Sequence, residues 1–238
     1  MNNLKPVAVI TGASSGIGKE ISFKLAKLHY KVILISRNKD KLLDIKKDME
    51  NLNQECQIIV ADISNVSITD KLKEQIKFPN QIKVVINNAG IGIFNRIQDI
   101  SFEEWEMQIN TNLRGSFLIT QFFIPFMINN NHGKVLFMNS VAGLTPYPNA
   151  TAYVASKYAL RGFSASLREE LREYDIKIIS VHPGAVDTAL WDKSGADFPR
   201  EDMMSSNDVA EMTIQAILAP NNMVCEEIIL RRTAGDFK

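Results

Sequence analysis

The sequence predicts an α/β fold in which a parallel sheet is covered by helices on both faces. Three observations lead there. Short, β-rich apolar runs alternate with longer segments of helical periodicity from one end of the chain to the other. The runs are apolar enough to be buried on both faces, as in sheets built from strand–helix–strand crossovers. No Pro/Gly/Ser-rich linker, internal repeat or low-complexity tract divides the pattern, so residues 1–238 read as one domain.

The strand runs are residues 7–10, 32–35, 57–60, 83–86, 134–138, 177–181 and 227–230. Between them, apolar residues recur at helical spacing, as in Ile17-Ile21-Leu25-Leu28 and Leu160-Phe163-Leu167-Leu171. Ser101 followed by Glu104 forms a capping-box pattern before a long helix, and Ser205 with Asp208 starts another. Pro125 falls inside the first of these segments, so that helix is expected to kink or end there. Asn131-His132-Gly133 supplies the turn into the fifth strand.

The bulk chemistry excludes several classes. With 27 basic and 27 acidic side chains the chain carries no formal net charge, against the basic excess of a nucleic-acid binder. Cys56 and Cys225, the two cysteines, sit in apolar runs and read as buried structural thiols. His29, His132 and His182 are scattered, so no metal site is expected. The N-terminus enters an apolar strand almost at once without a cleavable signal pattern. The longest nearly apolar stretch, 117–128, is too short to span a bilayer. A cytoplasmic protein without membrane or nucleic-acid partners is the expectation.

The first strand runs into Thr11-Gly12-Ala13-Ser14-Ser15-Gly16-Ile17-Gly18, and a helix follows directly. In such a turn Gly12 permits the tight bend, Gly16 lets the backbone approach a pyrophosphate, and Gly18 lets helix and strand pack closely. The exposed N–H groups of the helix start, helped by its dipole, suit negative phosphates. Gly12, Ser14, Ser15, Gly16, Ile17 and Gly18 are therefore expected along a dinucleotide. At the end of the second strand stand Ser36-Arg37-Asn38, where an NAD-binding unit would carry a carboxylate for the ribose hydroxyls. Arg37 suits a 2′-phosphate, which points to NADP(H); it also reads as a solvated surface arginine. The third strand ends in Ala61-Asp62-Ile63, and Asp62 reads equally as an acceptor for the adenine amino group and as an N-cap.

These residues, with five further motifs, resemble the short-chain dehydrogenase/reductase family over nearly the whole chain. The motifs are the T-G-x-x-x-G-x-G turn, Asn87-Asn88-Ala89-Gly90 closing the fourth strand, Asn112 to Gly115, Ser140 after the fifth strand, Tyr153 to Lys157, and Pro183 to Thr188. All six stand in family order. The resemblance implies a doubly wound (Rossmann) three-layer sandwich with a seven-stranded sheet in the order 3-2-1-4-5-6-7. It implies a groove for NADP(H) lined by Asn87, Ala89 and Gly90, with Val186 and Thr188, after Pro183-Gly184, on the nicotinamide carboxamide. A basic residue just before the second glycine, which some NADP(H)-preferring members show, is absent; Ser15 is there.

The implied chemistry is hydride transfer between a nicotinamide and a carbonyl or secondary alcohol. A tyrosine serves as its acid when a nearby ammonium draws the phenol pKa down from about 10. Tyr153 and Lys157, at i and i+4, project from one helix face, a spacing that is also common on exposed helices. Ser140, at the carboxyl edge of the sheet, is placed to donate to the substrate oxygen. By resemblance, Asn112 anchors a water that relays protons to Lys157. Asn112, Ser140, Tyr153 and Lys157 are the expected catalytic set.

A substrate lid is expected over about 188–204. It contains Leu190, Trp191 and Phe198 beside Asp192, Lys193 and Asp197, an apolar face toward substrate or simply core. Tyr147, between Pro146 and Pro148, lines a pocket or shapes a turn. The segment Glu226 to Arg232 lacks the glycine-rich finish of 3-oxoacyl-thioester reductases, a substrate class otherwise common among relatives. By resemblance to the family's dimer-forming helix pair, a homodimer or homotetramer is expected through 117–128 and the Tyr153 helix; in a monomer the two would be ordinary helix-on-sheet packing. The rival reading from another class is a non-catalytic NADP(H)-binding regulator or redox sensor on the same scaffold.

Overall fold

A computed structural model describes residues 5–195 and 198–237. Seven parallel strands form one sheet in the order β3-β2-β1-β4-β5-β6-β7. The strands are β1 (Val7–Thr11), β2 (Lys31–Ser36), β3 (Cys56–Val60), β4 (Ile82–Asn87), β5 (Gly133–Met138), β6 (Ile176–Pro183) and β7 (Glu227–Leu230). The sheet order implied by the resemblance is the one observed, and each predicted strand run lies within an observed strand.

Alternate residues of β1 to β6 feed two separate cores, while β7 packs one face only. Ala8, Ile10, Val32 and Leu34 face α1 (Gly16–Lys27), α2 (Lys39–Asn51) and α7 (Ser206–Ile217), meeting Ile21, Leu25, Leu42, Ile45 and Ile214. Val7, Val9, Ile33 and Ile35 face α3 (Ile68–Gln75), α5 (Gly115–Asn129) and α6 (Thr151–Leu171), meeting Leu72, Ile119, Phe123 and Leu160. Burying both faces explains why the strands read as apolar runs rather than as alternating ones. The remaining helix, α4 (Phe102–Ile109), opens with the predicted capping box, Ser101 and Glu104 each bonding the other's backbone N–H. Ser205 likewise accepts from the Asp208 N–H at the start of α7.

The chain departs from its predicted course at three places. Helix α5 does not end at Pro125 but continues to Asn129. Pro125 and Gln121 are both exposed, so the carbonyl that loses its N–H partner to proline faces water. The irregularity lies earlier, where Asn110–Arg114 forms a π-helical turn between α4 and α5. Cys56 and Cys225 are half-buried free thiols rather than fully buried ones. Finally, Asp62 does not cap α3, whose N-cap is Ser67; its carboxylate accepts from the backbone N–H and hydroxyl of Ser64, two residues on.

Among the described residues no helix is long and apolar enough to cross a membrane, and no group of three or more His, Cys, Asp or Glu side chains is placed to hold a metal ion.

Candidate active site

The carboxyl ends of the strands bring the predicted segments together along one edge of the sheet. Gly12 and Gly16 both hold positive φ, +64° and +52°, a conformation that L side chains rarely adopt. A Cβ on Gly12 would stand 2.8 Å from the Ala89 Cα, and one on Gly16 would stand 3.0 Å from the Thr188 methyl. The turn, the end of β4 and the segment after β6 thus converge on one groove. Gly18 has a more specific reason than general helix packing: a Cβ there would lie 2.4 Å from Asn88 Nδ2 and 2.5 Å from the Gly12 carbonyl. Asn88 itself is the brace between strands, donating to the carbonyls of Thr11 and Gly12. Thr11, buried in β1, accepts from the backbone N–H groups of Asn88 and Ala89.

This cradle fits a dinucleotide phosphate. The extended Ser15 precedes α1 without a side-chain cap, and no carboxylate lies in the helix's first turn. The first N–H groups and the positive end of the dipole are left for an anion, with Ile17 in that first turn. Ser14 and Ser36 share a hydrogen bond of 2.8 Å, tying the turn to the end of β2. Beside it, Arg37 is exposed and lies 3.8 Å from Asp62 across the ends of β2 and β3. An open groove of about 460 Å³ runs here, lined by Arg37, Ala61, Asp62 and Asn65 among others.

Not every predicted cofactor residue presents its side chain to this groove. The Asn38 side chain is engaged in capping α2, accepting from the Lys41 N–H. Ile63 is buried, its side chain turned beneath Gly115. Asn87 is buried and donates to Thr120, while its Oδ1 has no hydrogen-bond partner among the described residues. Val186 is buried, bridged to Met204, and its carbonyl accepts from the Trp191 indole. Gly184 closes β6 by donating to the Leu230 carbonyl of β7.

The four predicted catalytic residues come together at the inner end of the groove. Ser140 stands two residues beyond the end of β5, and its hydroxyl oxygen accepts from the Ala142 N–H at 3.1 Å. Tyr153 and Lys157 share one face of α6, with the Lys157 Nζ 5.7 Å from the phenol ring centre. Lys157 is buried and donates to the Met138 carbonyl at 2.9 Å. Asn112 is buried in the π-helical turn rather than solvated. Its Oδ1 accepts from Ile91 N–H at 2.8 Å, and its Nδ2 donates to the Ile91 carbonyl and the Ser156 hydroxyl. The side chain thus pins the segment after β4, where a Cβ on Gly90 would lie 3.7 Å from the Lys157 Nζ.

Electrostatics correct one expectation. Spacing predicted a phenol pKa lowered by Lys157, but burial pushes the Tyr153 phenol above its usual value, and the Ser140 hydroxyl opposes that rise. Lys157 lies over the ring and spends its bond on Met138, so desolvation outweighs it. The same burial brings the Lys157 ammonium down to about 8.

On the outer side, aromatic rings adjoin Tyr153. Phe94 meets it edge-on at 5.4 Å, Trp191 lies 5.8 Å from Phe94, and Phe198 lies 5.6 Å from Trp191. Arg200 holds the predicted lid segment with bonds to Asp187, Asp192 and the Thr188 carbonyl. The Phe94 N–H donates to the Ser194 carbonyl at 2.7 Å, fastening that segment to the one after β4. Tyr147 donates to Asp236 at 2.5 Å, so it ties the loop after β5 to the segment after β7. Asp197 of the predicted lid lies outside the described residues. Phe94, Arg200 and Asn139, whose Oδ1 accepts from the Ser140 N–H, carried no sequence signal because their roles arise only from tertiary contact.

Comparison with known proteins gives a consistent picture. Residues 6–198 match the family profile described as short chain dehydrogenase. A sepiapterin reductase of Chlorobaculum tepidum is 32% identical over 248 residues, covering 99% of each chain. An uncharacterized oxidoreductase of Staphylococcus epidermidis is 31% identical over 226 residues, 94% of this chain and 96% of that protein. Among solved structures, an alcohol dehydrogenase from the archaeon Thermococcus sibiricus complexed with 5-hydroxy-NADP superposes with a TM-score of 0.90 at 28% identity, covering 99% of this chain and 100% of that one.

Proposed function

The chain belongs to the short-chain dehydrogenase/reductase family, and we propose that it is an NADP(H)-dependent oxidoreductase acting on a carbonyl or the corresponding secondary alcohol, with Tyr153 as proton donor and acceptor. The observation that carries this reading is the meeting of Ser140, Tyr153 and Lys157 at the end of a phosphate-suited groove. NADP(H), when bound in this groove, would supply the hydride donor or acceptor for the carbonyl carbon.

The chain's own residues do the rest. Gly12, Gly16 and the start of α1 receive the pyrophosphate, and Arg37 is the charge that suits a 2′-phosphate. Val186 and Thr188 would hold the carboxamide end. In reduction, the Tyr153 hydroxyl gives its proton to the substrate oxygen as negative charge develops there, and the Ser140 hydroxyl donates a hydrogen bond to the same oxygen. Lys157 keeps positive charge beside the phenolate that is left. Asn112 supports proton relay by fixing the segment of Gly90 and Ile91 against Lys157. NADP-bound structural relatives support the cofactor choice, among them a serine dehydrogenase complexed with NADP+ at 26% identity and a TM-score of 0.87, covering 94% of each chain.

On the substrate side, the wall of Phe94, Trp191 and Phe198 favours a carbonyl carried on a flat apolar group, with residues 188–204 as the lid. The outer faces of α5 and α6 expose Phe117 and Tyr158, where we place the contact of a homodimer or homotetramer.

The test is NADPH and NADH consumption across a panel containing a 3-oxoacyl thioester, diketones, aromatic aldehydes, cyclic ketones and a pterin ketone. Turnover with NADPH on aromatic or cyclic carbonyls is expected. Tight NADPH binding with no turnover on any panel member would overturn the enzymatic reading in favour of a cofactor-binding sensor.

A further inference from the structure

His182 lies near the end of β6 with a fully buried ring, a titratable group that the chemistry above does not use. Strand register explains its neighbours: Val181 pairs with Met138, so His182 comes level with the chain just beyond β5, where Ser140 stands. Its Nδ1 is 3.2 Å from the Ser140 main-chain carbonyl. Among the described residues its Nε2 has no hydrogen-bond partner. On that side Glu227 Oε1 of β7 is 3.6 Å away, and the carboxylate is already held by Arg161 of α6, which donates to Oε1 at 2.8 Å and to Oε2 at 3.0 Å.

Both groups facing the ring are acceptors, and only the one at Nδ1 is within bonding range. Burial holds the ring below its ordinary pKa against the opposing pull of the Ser140 carbonyl and Glu227, with Arg161 and Lys157 adding to the lowering. A neutral ring bonded to that carbonyl would carry its proton on Nδ1 and turn a buried lone pair toward a carboxylate. Leaving that nitrogen unpaired is unfavourable, and an apolar residue of similar size would avoid it. What the imidazole supplies in return is the bond to Ser140.

Around Ser140 that bond completes a clamp. The Ser140 N–H donates to Asn139 Oδ1, its carbonyl accepts from the Gly143 N–H as well as from His182, and its hydroxyl oxygen accepts from the Ala142 N–H. With these groups committed, the hydroxyl proton is left to point outward, toward Tyr153 and a substrate oxygen.

We propose that His182 is a positioning residue for Ser140, its Nδ1–H fixing the Ser140 carbonyl and through it the direction in which the Ser140 hydroxyl donates. The inference rests on the reading of Ser140 and Tyr153 as the reacting pair, but its first test does not. In ¹⁵N-histidine spectra of the wild-type protein, His182 is expected as the Nδ1–H tautomer, and an Nε2–H tautomer would overturn the proposal whatever the protein's activity.

The second test compares three substitutions. His182→Asn keeps a donor at the δ position, His182→Gln moves it outward toward Glu227, and His182→Leu removes it. The expected order is kcat within about threefold of wild type for Asn, and a loss of about tenfold for Gln and Leu, the scale of one hydrogen bond. NADPH affinity should be unchanged in all three. A residue serving only to fill space would give the reverse order, with Leu and Gln outperforming the smaller Asn, and that result would overturn the proposal. Retained turnover in Tyr153→Phe would instead sink the reading of the site and leave the tautomer result standing.

Discussion

Replacing Lys157 with methionine should give a protein that is more stable and inactive. Lys157 is buried; its ammonium donates to the Met138 carbonyl and lies 5.7 Å from the Tyr153 ring centre. A fall from 10.5 to about 8 amounts to about 3 kcal/mol, at about 1.4 kcal/mol for each pKa unit. That free energy weakens the folded state wherever both folded and unfolded chains keep the proton, which is below about pH 8. Between about 8 and 10.5 the folded protein releases the proton first, so wild type gains stability as pH rises, and above that range the penalty is gone. Methionine fills similar space without charge but deprives the Met138 carbonyl of a donor, a loss of about 1 kcal/mol. The net expectation for the cofactor-free variant near neutral pH is a gain of about 2 kcal/mol, or a Tm higher by roughly 4–8 °C for a chain of this size. Urea unfolding followed by tryptophan fluorescence, on both proteins across the range from about pH 6.5 to 10, measures the difference. The advantage of the variant should hold level up to about pH 8 and shrink as pH rises from there toward 10. A variant less stable than wild type at neutral pH, or a difference that does not change with pH, would refute the assignment of a strained buried ammonium.

Two further outcomes follow from the groove. Arg37→Glu should weaken NADPH binding by at least about tenfold, the scale of a lost charge-assisted hydrogen bond, while NADH binding holds or improves; unchanged NADPH affinity in a fluorescence titration would show Arg37 to be a solvated surface residue. Gly18→Ala places a methyl 2.4 Å from Asn88 Nδ2 and 2.5 Å from the Gly12 carbonyl, so it should cost about 1–3 kcal/mol and lower Tm by roughly 3–10 °C. A calorimetric scan that matches wild type would contradict that close approach.

Much of the fold was legible because both faces of its sheet are buried. That condition writes each strand as an apolar run and each crossover as a helical period, and the order of the strands then follows from the family resemblance. The groove was legible for a different reason: Gly12, Gly16 and Gly18 occupy places where no side chain fits, so the backbone's needs appear directly in the sequence. Other features depend on tertiary contact and left no local trace. Pro125 is expected to kink or end its helix, yet the helix runs on to Asn129, because the exposed position lets the freed carbonyl reach water. Asn112 is singled out by the family resemblance, but its burial and its hold on Ile91 come from the π-helical turn, which left no local trace. The spacing of Tyr153 and Lys157 identified the pair but not the balance of forces on it, because burial depends on Phe94, Met138 and the rest of the site. His182 looked isolated in the sequence because its partner stands on the neighbouring strand.

The central claim is that the Tyr153 hydroxyl delivers the proton in a hydride-transfer reaction. Its most direct test is Tyr153→Phe, a change of one oxygen atom, measured for both turnover and NADPH binding on whichever carbonyl the wild type reduces. Turnover should fall by about 10²–10⁴-fold, the usual contribution of a positioned general acid, while NADPH affinity stays within about threefold, since the ring and the groove remain in place. Turnover persisting at the wild-type rate would contradict the account, because Ser140, the other donor to that oxygen, is assigned a hydrogen bond and not the proton transfer.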